Sequence, residues 1–339
     1  MKILFGACTE GNGHLTQTIA LKQILKNNYD YDISCVLVAK KNKGLAKYFT
    51  DEFKVIQFDG FDFVFNNKGK VIIYRTILKN WMELPRLIYS FIKICYIIKK
   101  EKPDVIFNFY EPLIGLTALF FPKIKYISVA HQYAMDADVY PKIKGFYIQK
   151  MFIKLINWIT SIKATKLALS FYEFEDDTLI PCPPILRKES YTFNNNTEDF
   201  VLVYLMHEDM VPNLIVQAVY NPSIKIQCFT KLTKKFECPS NLTLNNLDGK
   251  LFQEKMKVCK AVVCSGGFET ASEAILQKKP LLMIPMENHY EQYCNVNDAK
   301  FHGYAEWSKK IDLSKIPNIQ RGNEIWFNKV NEVINKVLK

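Results

Sequence analysis

Long apolar runs are missing from this sequence of 339 residues. Lys93 interrupts segment 87–98 and Lys154 interrupts segment 151–162, so no stretch reaches the roughly 18 apolar residues of a membrane-spanning helix. Metal and disulfide spacing is missing too. The nine cysteines contain no Cys-x-x-Cys, and Cys8, Cys35, Cys228, Cys259 and Cys264 fall in or beside expected strands. They read as small buried hydrophobes of a reducing cytosol, and no structural zinc is expected. A full dinucleotide fingerprint is absent as well. After Gly11 and Gly13 the position that should be glycine is Thr16, which argues against NAD. There is no internal repeat and no low-complexity tract beyond the Asn194-Asn195-Asn196 run. The opening Met1-Lys2-Ile3-Leu4-Phe5 reads directly as a strand, so no leader peptide is expected.

What is present suits two domains of roughly 150 to 180 residues each. Charge is unevenly spread. Residues 63–170 hold 17 Lys and Arg against 6 Asp and Glu, an excess equal to the +11 of the whole chain. In that region, Ile72–Lys100 interleaves Trp81 and other apolar residues with Arg75, Lys79, Arg86, Lys93, Lys99 and Lys100. Lys142–Lys166 does the same with Phe146, Tyr147, Phe152 and Trp158. Basic amphipathic helices of this kind suit an anionic membrane surface; the competing explanation is two buried helices with solvated lysines. Nucleic acid is not an expected partner.

Strand and helix patterns alternate from the start. Strands are expected at 3–7, 33–38, 55–58, 105–109, 126–129 and 167–170, with helices at 15–25, 43–49, 72–100, 113–121 and 142–162. Pro85 marks a break or a second helix start within 72–100. Pro181-Cys182-Pro183-Pro184 and the asparagine run then interrupt the pattern and read as a linker. A second alternation fills 201–301, and a helix over 324–337 closes the chain. This order predicts an α/β protein with two parallel sheets. The expected divisions are an N-terminal domain over 1–180, a linker over 181–198 and a C-terminal domain over 199–322. A final helical segment, 323–339, is a candidate for packing back on the first domain.

The densest information lies at 265–295. The apolar strand Ala261-Val262-Val263-Cys264 runs into Ser265-Gly266-Gly267, and a helix begins at Phe268. The glycines allow a sharp turn and close backbone approach. The helix start offers free N–H groups and a positive dipole end, a ready site for a diphosphate. Glu273 lies six residues past Gly267, far enough along the helix to reach sugar hydroxyls. Lys279-Pro280, Pro285, Glu291-Gln292 and Asn295 follow.

Gly-Gly, Thr270, Ser272-Glu273-Ala274, Lys279-Pro280, Pro285, Glu291-Gln292 and Asn295 together resemble the nucleotide-sugar signature of GT-B glycosyltransferases. The likeness is to families 1 and 28, which include plant and animal UDP-sugar transferases and the peptidoglycan lipid II N-acetylglucosaminyltransferase. It spans 265 to about 305. It implies two Rossmann-like parallel-sheet domains facing each other across a cleft, with the nucleotide sugar on the C-terminal one. Ser265, Gly266, Gly267, Phe268 and Thr270 would then hold the diphosphate, Glu273 the ribose, and Glu291 and Gln292 the hexose. His207 is a weaker candidate for the diphosphate and Phe252 for the base.

The loop after the first strand, Glu10-Gly11-Asn12-Gly13-His14, is similar to the Gly-x-Gly-His loop of the same families. There the histidine projects from the start of the first helix and acts as general base in many members. A helix N-terminus favours a neutral, proton-accepting ring. Glu10 in the same loop and His131 remain alternative bases. Gly11 and Gly13 would shape the acceptor side. His131 and Gln132, after the strand at 126–129, and Glu111, after the strand at 105–109, stand at strand ends where such domains bind ligands.

The resemblance implies an inverting, metal-independent transfer from a UDP-sugar to an acceptor hydroxyl, on a small molecule or a lipid-linked glycan, with no cofactor. Asp136-Ala137-Asp138 has the letters of a metal-binding Asp-x-Asp but sits away from the donor motif. The expected location is the cytoplasm or the inner membrane face. The alternatives are a nucleotide-sugar 2-epimerase of the same fold and a non-enzymatic basic protein that binds a membrane surface or nucleic acid.

Overall fold

The computed structural model describes residues 1–10, 12–28, 31–40, 44–45, 47–64, 72–194, 196–318 and 321–339. The chain forms two compact units. Unit 1 contains Met1–Tyr140, Lys144–Arg187 and Asn328–Lys339, and unit 2 contains Pro141–Ile143 and Lys188–Phe327.

In chain order the first elements are β1 (Lys2–Ala7), α1 (Gly13–Asn28), β2 (Asp32–Ala39), α2 (Lys47–Thr50), β3 (Val55–Phe58), α3 (Ile73–Met82) and α4 (Leu84–Glu101). Then come β4 (Val105–Phe109), α5 (Pro112–Thr117), β5 (Lys125–Ala130), α6 (Tyr147–Thr160), β6 (Thr165–Leu169) and β7 (Ile180–Cys182). Unit 2 brings β8 (Val201–Tyr204), α7 (Val211–Tyr220), β9 (Ile226–Phe229), β10 (Leu242–Asn245), α8 (Gly249–Val258), β11 (Ala261–Ser265), α9 (Phe268–Leu276), β12 (Leu281–Ile284), α10 (Tyr290–Phe301) and β13 (Glu306–Trp307). Helices α11 (Glu324–Asn328) and α12 (Val330–Leu338) end the chain.

Unit 1 carries a sheet in the order β3-β2-β1-β4-β5-β6-β7, and unit 2 one in the order β10-β9-β8-β11-β12-β13. Every pair is parallel. Parallel strands are covered on both faces, so they read as continuous apolar runs, and β4, β11 and β12 are buried throughout. Leu4, Leu37, Ile106 and Ile114 centre one core with Ile94 and Ile98 of α4; Val203, Val263, Leu282 and Ile284 centre the other with Leu214 of α7. In each sheet the strand order reverses once, between β1 and β4 in unit 1 and between β8 and β11 in unit 2. Loops leaving the carboxyl ends of those strands diverge there and open a crevice for ligands.

Several boundaries differ from the sequence expectation. The prolines at 181–184 do not all lie in a linker: Pro181 sits in β7, the edge strand beside β6, where a missing N–H is tolerated. The helix expected over 142–162 shortens to α6, because Gly145 and Phe146 adopt left-handed φ of 78° and 57°, which no helix accommodates. The helix expected over 113–121 ends at Thr117. Part of the helix expected over 43–49 lies outside the described residues, as does Gly11. Pro85 does start a second helix, within the first turn of α4.

Helices α3 and α6 are inside out. Among the residues of α3 only Thr76 and Asn80 are buried, and they bind the backbone of the preceding loop: Val64 N–H donates to Thr76 Oγ1 at 3.0 Å and Asp62 N–H to Asn80 Oδ1 at 2.9 Å. Its stripe of Tyr74, Ile77, Leu78, Trp81 and Met82, at i, i+3, i+4, i+7 and i+8, is exposed. Helix α6 buries only Asn157 and Thr160 and exposes Tyr147, Ile148, Met151, Leu155 and Trp158. Phe152 of α6 meets Phe63 of the loop that α3 grips, edge to face at 6.1 Å.

Candidate functional site

In unit 2 the turn after β11 is tightly tied down. Gly266 N–H donates to Ile284 O at 3.1 Å, Gly267 N–H to Ser265 O at 2.7 Å, and Asn295 Nδ2 to Gly266 O at 3.1 Å. A Cβ at Gly266 would stand 2.9 Å from Gln292 Cβ, so the glycine lets α10 close on the turn; a Cβ at Gly267 would meet nothing within 4 Å. Helix α9 begins at Phe268 with no side chain capping its N-terminus. Space over Gly267 and an uncapped helix end together make a seat for an anion. The two glycine N–H groups are spent inside the turn, so the donors for a diphosphate would come from the first turn of α9 at Phe268–Thr270.

Glu273 is buried on α9. Its Oε1 accepts from Ser190 Oγ at 3.0 Å and from Gln253 Nε2 at 3.0 Å. With Glu189, Met256, Lys257 and Gln277 these residues line a small pocket. Two polar side chains bonded to one carboxylate suit a vicinal diol, which donates to the carboxylate and accepts from the amide.

The remaining donor-side candidates fall out differently. Ser265 Oγ accepts from Met206 N–H at 3.0 Å and ties the loop after β8 to the loop after β11. His207 follows β8 in that loop, half-buried, and precedes the short helix at Glu208–Met210. Gln292 is 2 % exposed, and its Oε1 is held by Met286 N–H at 2.8 Å, so it braces the loop before α10. Glu291, beside it, is half-buried. Phe252 packs in a ring cluster with Tyr204 at 5.7 Å and Phe229 at 5.4 Å, and its N–H bonds Asp248 O. It is core, and its side chain is already taken up by its neighbours.

In unit 1 the candidates gather where β1, β4 and β5 lie side by side. His14 is the second residue of α1 and is buried. Its Nδ1 faces Gln17 Oε1 at 3.3 Å. An amide oxygen only accepts, so Nδ1 donates here. The ring stacks on Tyr110 with centroids 5.5 Å apart and planes 23° off parallel. Tyr110 holds a left-handed φ of 60° at the end of β4, a strained conformation of the kind that collects at working sites. Glu10 is exposed in the loop before α1, and Gly13 opens that helix.

Glu111 caps α5, accepting from Ile114 N–H at 2.8 Å. It is 2 % exposed, and burial pushes its carboxyl up to about 8, so near neutrality it holds a proton despite the capping bond. His131 and Gln132 open a short helix at His131–Asp136 after β5, and both are buried. The Gln132 side-chain oxygen meets no hydrogen-bond donor among the described residues, an orphaned buried acceptor of the kind a ligand hydroxyl satisfies. Sequence reasoning passed over Tyr110, Gln17, Asn157, Ser190 and Gln253. Nothing in the local sequence or in the spacing of these residues announces them.

No described helix is long and apolar enough to cross a membrane. Residues 1–320 match the profile of the family described as Glycosyl transferase family 1. A UDP-N-acetylglucosamine--N-acetylmuramyl-(pentapeptide) pyrophosphoryl-undecaprenol N-acetylglucosamine transferase of Clostridium kluyveri is 21% identical over 347 residues, covering 96% of this chain and 95% of that protein. Among solved structures, the glycotransferase of kitacinnamycin matches with a TM-score of 0.61 at 12% identity, over 99% of this chain and 93% of that one. The MurG of Acinetobacter baumannii matches with a TM-score of 0.51 at 13% identity, over 100% and 90%. Two parallel-sheet units, a glycine turn opening an uncapped helix and this match across the chain agree: the protein is a glycosyltransferase of GT-B fold and belongs to glycosyl transferase family 1.

Proposed function

We propose that this enzyme moves a hexose or N-acetylhexosamine from a UDP-sugar to the hydroxyl of a lipid-linked acceptor, with inversion and without a metal ion. The observation that carries the donor half is the pairing, within unit 2, of an uncapped α9 N-terminus over open space with the buried Glu273–Ser190–Gln253 cluster. The helix end would take the diphosphate and Glu273 the ribose hydroxyls. As the bond to the anomeric carbon breaks, negative charge grows on the leaving diphosphate, and the positive helix end stabilises it without a cation. His14, whose Nδ1 donates to Gln17, would accept at Nε2 the proton of the acceptor hydroxyl as its oxygen attacks the anomeric carbon from the opposite face, which inverts the configuration. Gln132, with its orphaned oxygen, would orient that hydroxyl.

The acceptor half rests on the inside-out helices α3 and α6, whose exposed stripes carry two tryptophans beside Arg75, Lys150 and Lys154. Apolar stripes flanked by cations suit an anionic bilayer face, where the stripe enters the headgroup boundary and the cations meet phosphate. Lys79 and Arg86 add less than their number suggests, because both pair with Asp62. The clostridial relative named above acts, by its name, on a pyrophosphoryl-undecaprenol, which supports a lipid-linked acceptor.

The first test is thermal stabilisation by UDP. A ligand at 100 times its dissociation constant adds about 2.7 kcal/mol. UDP should stabilise the wild type and much less the Glu273→Ala variant; stabilisation by NAD alone would overturn the donor reading. Added chelator should leave turnover unchanged if no metal takes part. Pelleting with vesicles of anionic lipid at low salt tests the membrane half, which fails if the protein stays in solution.

A further inference from the structure

One side chain on α6 bonds the Gln132 backbone and, through Tyr110, reaches the His14 ring. Asn157 is 3 % exposed and uses both its N–H bonds and its oxygen. Its Nδ2 donates to Gln132 O at 3.0 Å and to Asp136 Oδ2 at 2.8 Å, and its Oδ1 accepts from Tyr110 Oη at 2.7 Å. Tyr110 in turn lies against the face of His14 and edge-on to Tyr133 at 5.9 Å. Gln17 holds the imidazole in its plane and Tyr110 lies across its face. Tyr110 sits at a left-handed φ of 60° just past the end of β4, and its hydroxyl bond to Asn157 holds the ring's far end.

We propose that Asn157 and Tyr110 are positioning residues for the transfer step: Asn157 anchors the Tyr110 hydroxyl and the Gln132 carbonyl, and Tyr110 orients the His14 ring. Asparagine suits the place because it alone offers two donors and an acceptor on a short, uncharged side chain; aspartate there would set a second carboxylate against Asp136. The proposal rests on His14 standing at the acceptor side. Because Asn157 and Thr160 are the buried residues of α6, the helix with the exposed apolar stripe is joined to the acceptor cluster through these same bonds.

The test reads the His14 ring directly in the full-length protein. The imidazole proton and carbon resonances are recorded, and His14 is picked out of the five histidines by its loss in His14→Gln. Tyr110→Leu removes the stacked ring and should shift the His14 resonance most. Asn157→Leu should shift it in the same direction, and the double variant no further than Tyr110→Leu, because the two act along one path. His289 and His302, in unit 2, should stay in place. Tyr110→Phe keeps the ring and cuts only the bond to Asn157, so it tests the same link if Asn157→Leu does not fold. A His14 resonance unmoved by Asn157→Leu or Tyr110→Phe, or shifts that add, overturns the proposal. In the transfer assay Asn157→Leu and Tyr110→Leu should each lower kcat, toward the ~100-fold that a misplacement of about 1 Å can cost, with donor KM unchanged; a kcat equal to that of the wild type in both also overturns it. If the wild type transfers no sugar, the functional reading fails, and the resonance shifts still decide the positioning.

Discussion

The two strand-end regions are built in opposite ways. In unit 2 the turn with its brace Asn295, the uncapped helix and Glu273 all come from residues 265–295, and Ser190 and Gln253 are brought in from elsewhere. In unit 1 the cluster is assembled from four separate segments, around His14, Tyr110, Gln132 and Asn157, joined by side-chain bonds. A site made of one segment is specified by local turn and helix chemistry. A site made of four depends on the sheet register and on how closely α5 and α6 approach. The difference teaches that the donor side should tolerate repacking elsewhere, whereas the acceptor side should fail when distant packing changes.

The comparison can be tested by disturbing each region in turn, and the largest effect should come from charge. Glu111 holds its proton up to about 8 when folded, against an ordinary value of 4.5. Between those pH values the folded state binds one more proton than the unfolded state, so stability falls as pH rises across that window and is level above it. The span is worth about 5 kcal/mol at most, from 1.36 kcal/mol per unit. Glu111→Gln keeps an oxygen for the Ile114 cap, so the variant should lose this slope and gain relative stability at alkaline pH in denaturant titrations. An unchanged slope would show that the carboxyl titrates normally.

Packing comes next. A Cβ at Gly115 would lie 2.7 Å from Thr160 Cα, backbone against backbone, and would push α6 away from α5. Gly115→Ala should cost about 3 kcal/mol, the upper end for overpacking. It should depress transfer further than stability alone explains, while UDP still binds the folded fraction. Gly266→Ala and Gly267→Ala make the matching pair in unit 2. The first meets Gln292 and should cost about 1 to 3 kcal/mol. The second meets nothing and should cost under about 0.5 kcal/mol, like an ordinary surface change. Equal losses would mean the turn is not packed as described.

Removal of the base sharpens the chemistry. His14→Ala should lower transfer by about 100-fold or more, the scale of general base catalysis, and leave UDP stabilisation intact. A larger loss in Glu10→Gln or His131→Ala would move the base to that residue. The smallest effect on stability belongs to the exposed stripes. Trp81→Ser and Trp158→Ser, at residues 73 % and 64 % exposed, should change the melting free energy by no more than about 0.5 kcal/mol yet weaken vesicle binding. Loss of stability instead would mean that these rings are covered in the folded protein.

By itself the sequence determined the alternation of strands and helices, the two parallel sheets and the turn–helix element at 265–276. Apolar runs, glycine spacing and helix starts are local properties, read along a few residues. It also brought out the basic aromatic helices, because composition needs no partner. It could not show that α3 and α6 bury their polar sides. Periodicity marks an apolar stripe without saying whether the stripe faces a core, and here Thr76, Asn80 and Asn157 take inward positions by bonding the backbone of neighbouring segments, and Thr160 by a side-chain bond between its Oγ1 and Tyr133 Oη. Nor could it show that Phe252 and Gln292 are committed to internal contacts, or that β7 pairs through a proline. Tyr110 and Asn157 are 47 residues apart, and only the packing of α6 against α5 and the carboxyl ends of β4 and β5 brings their polar atoms within 2.7 Å. Such a contact depends on every intervening element at once, and so it was decided by the tertiary structure.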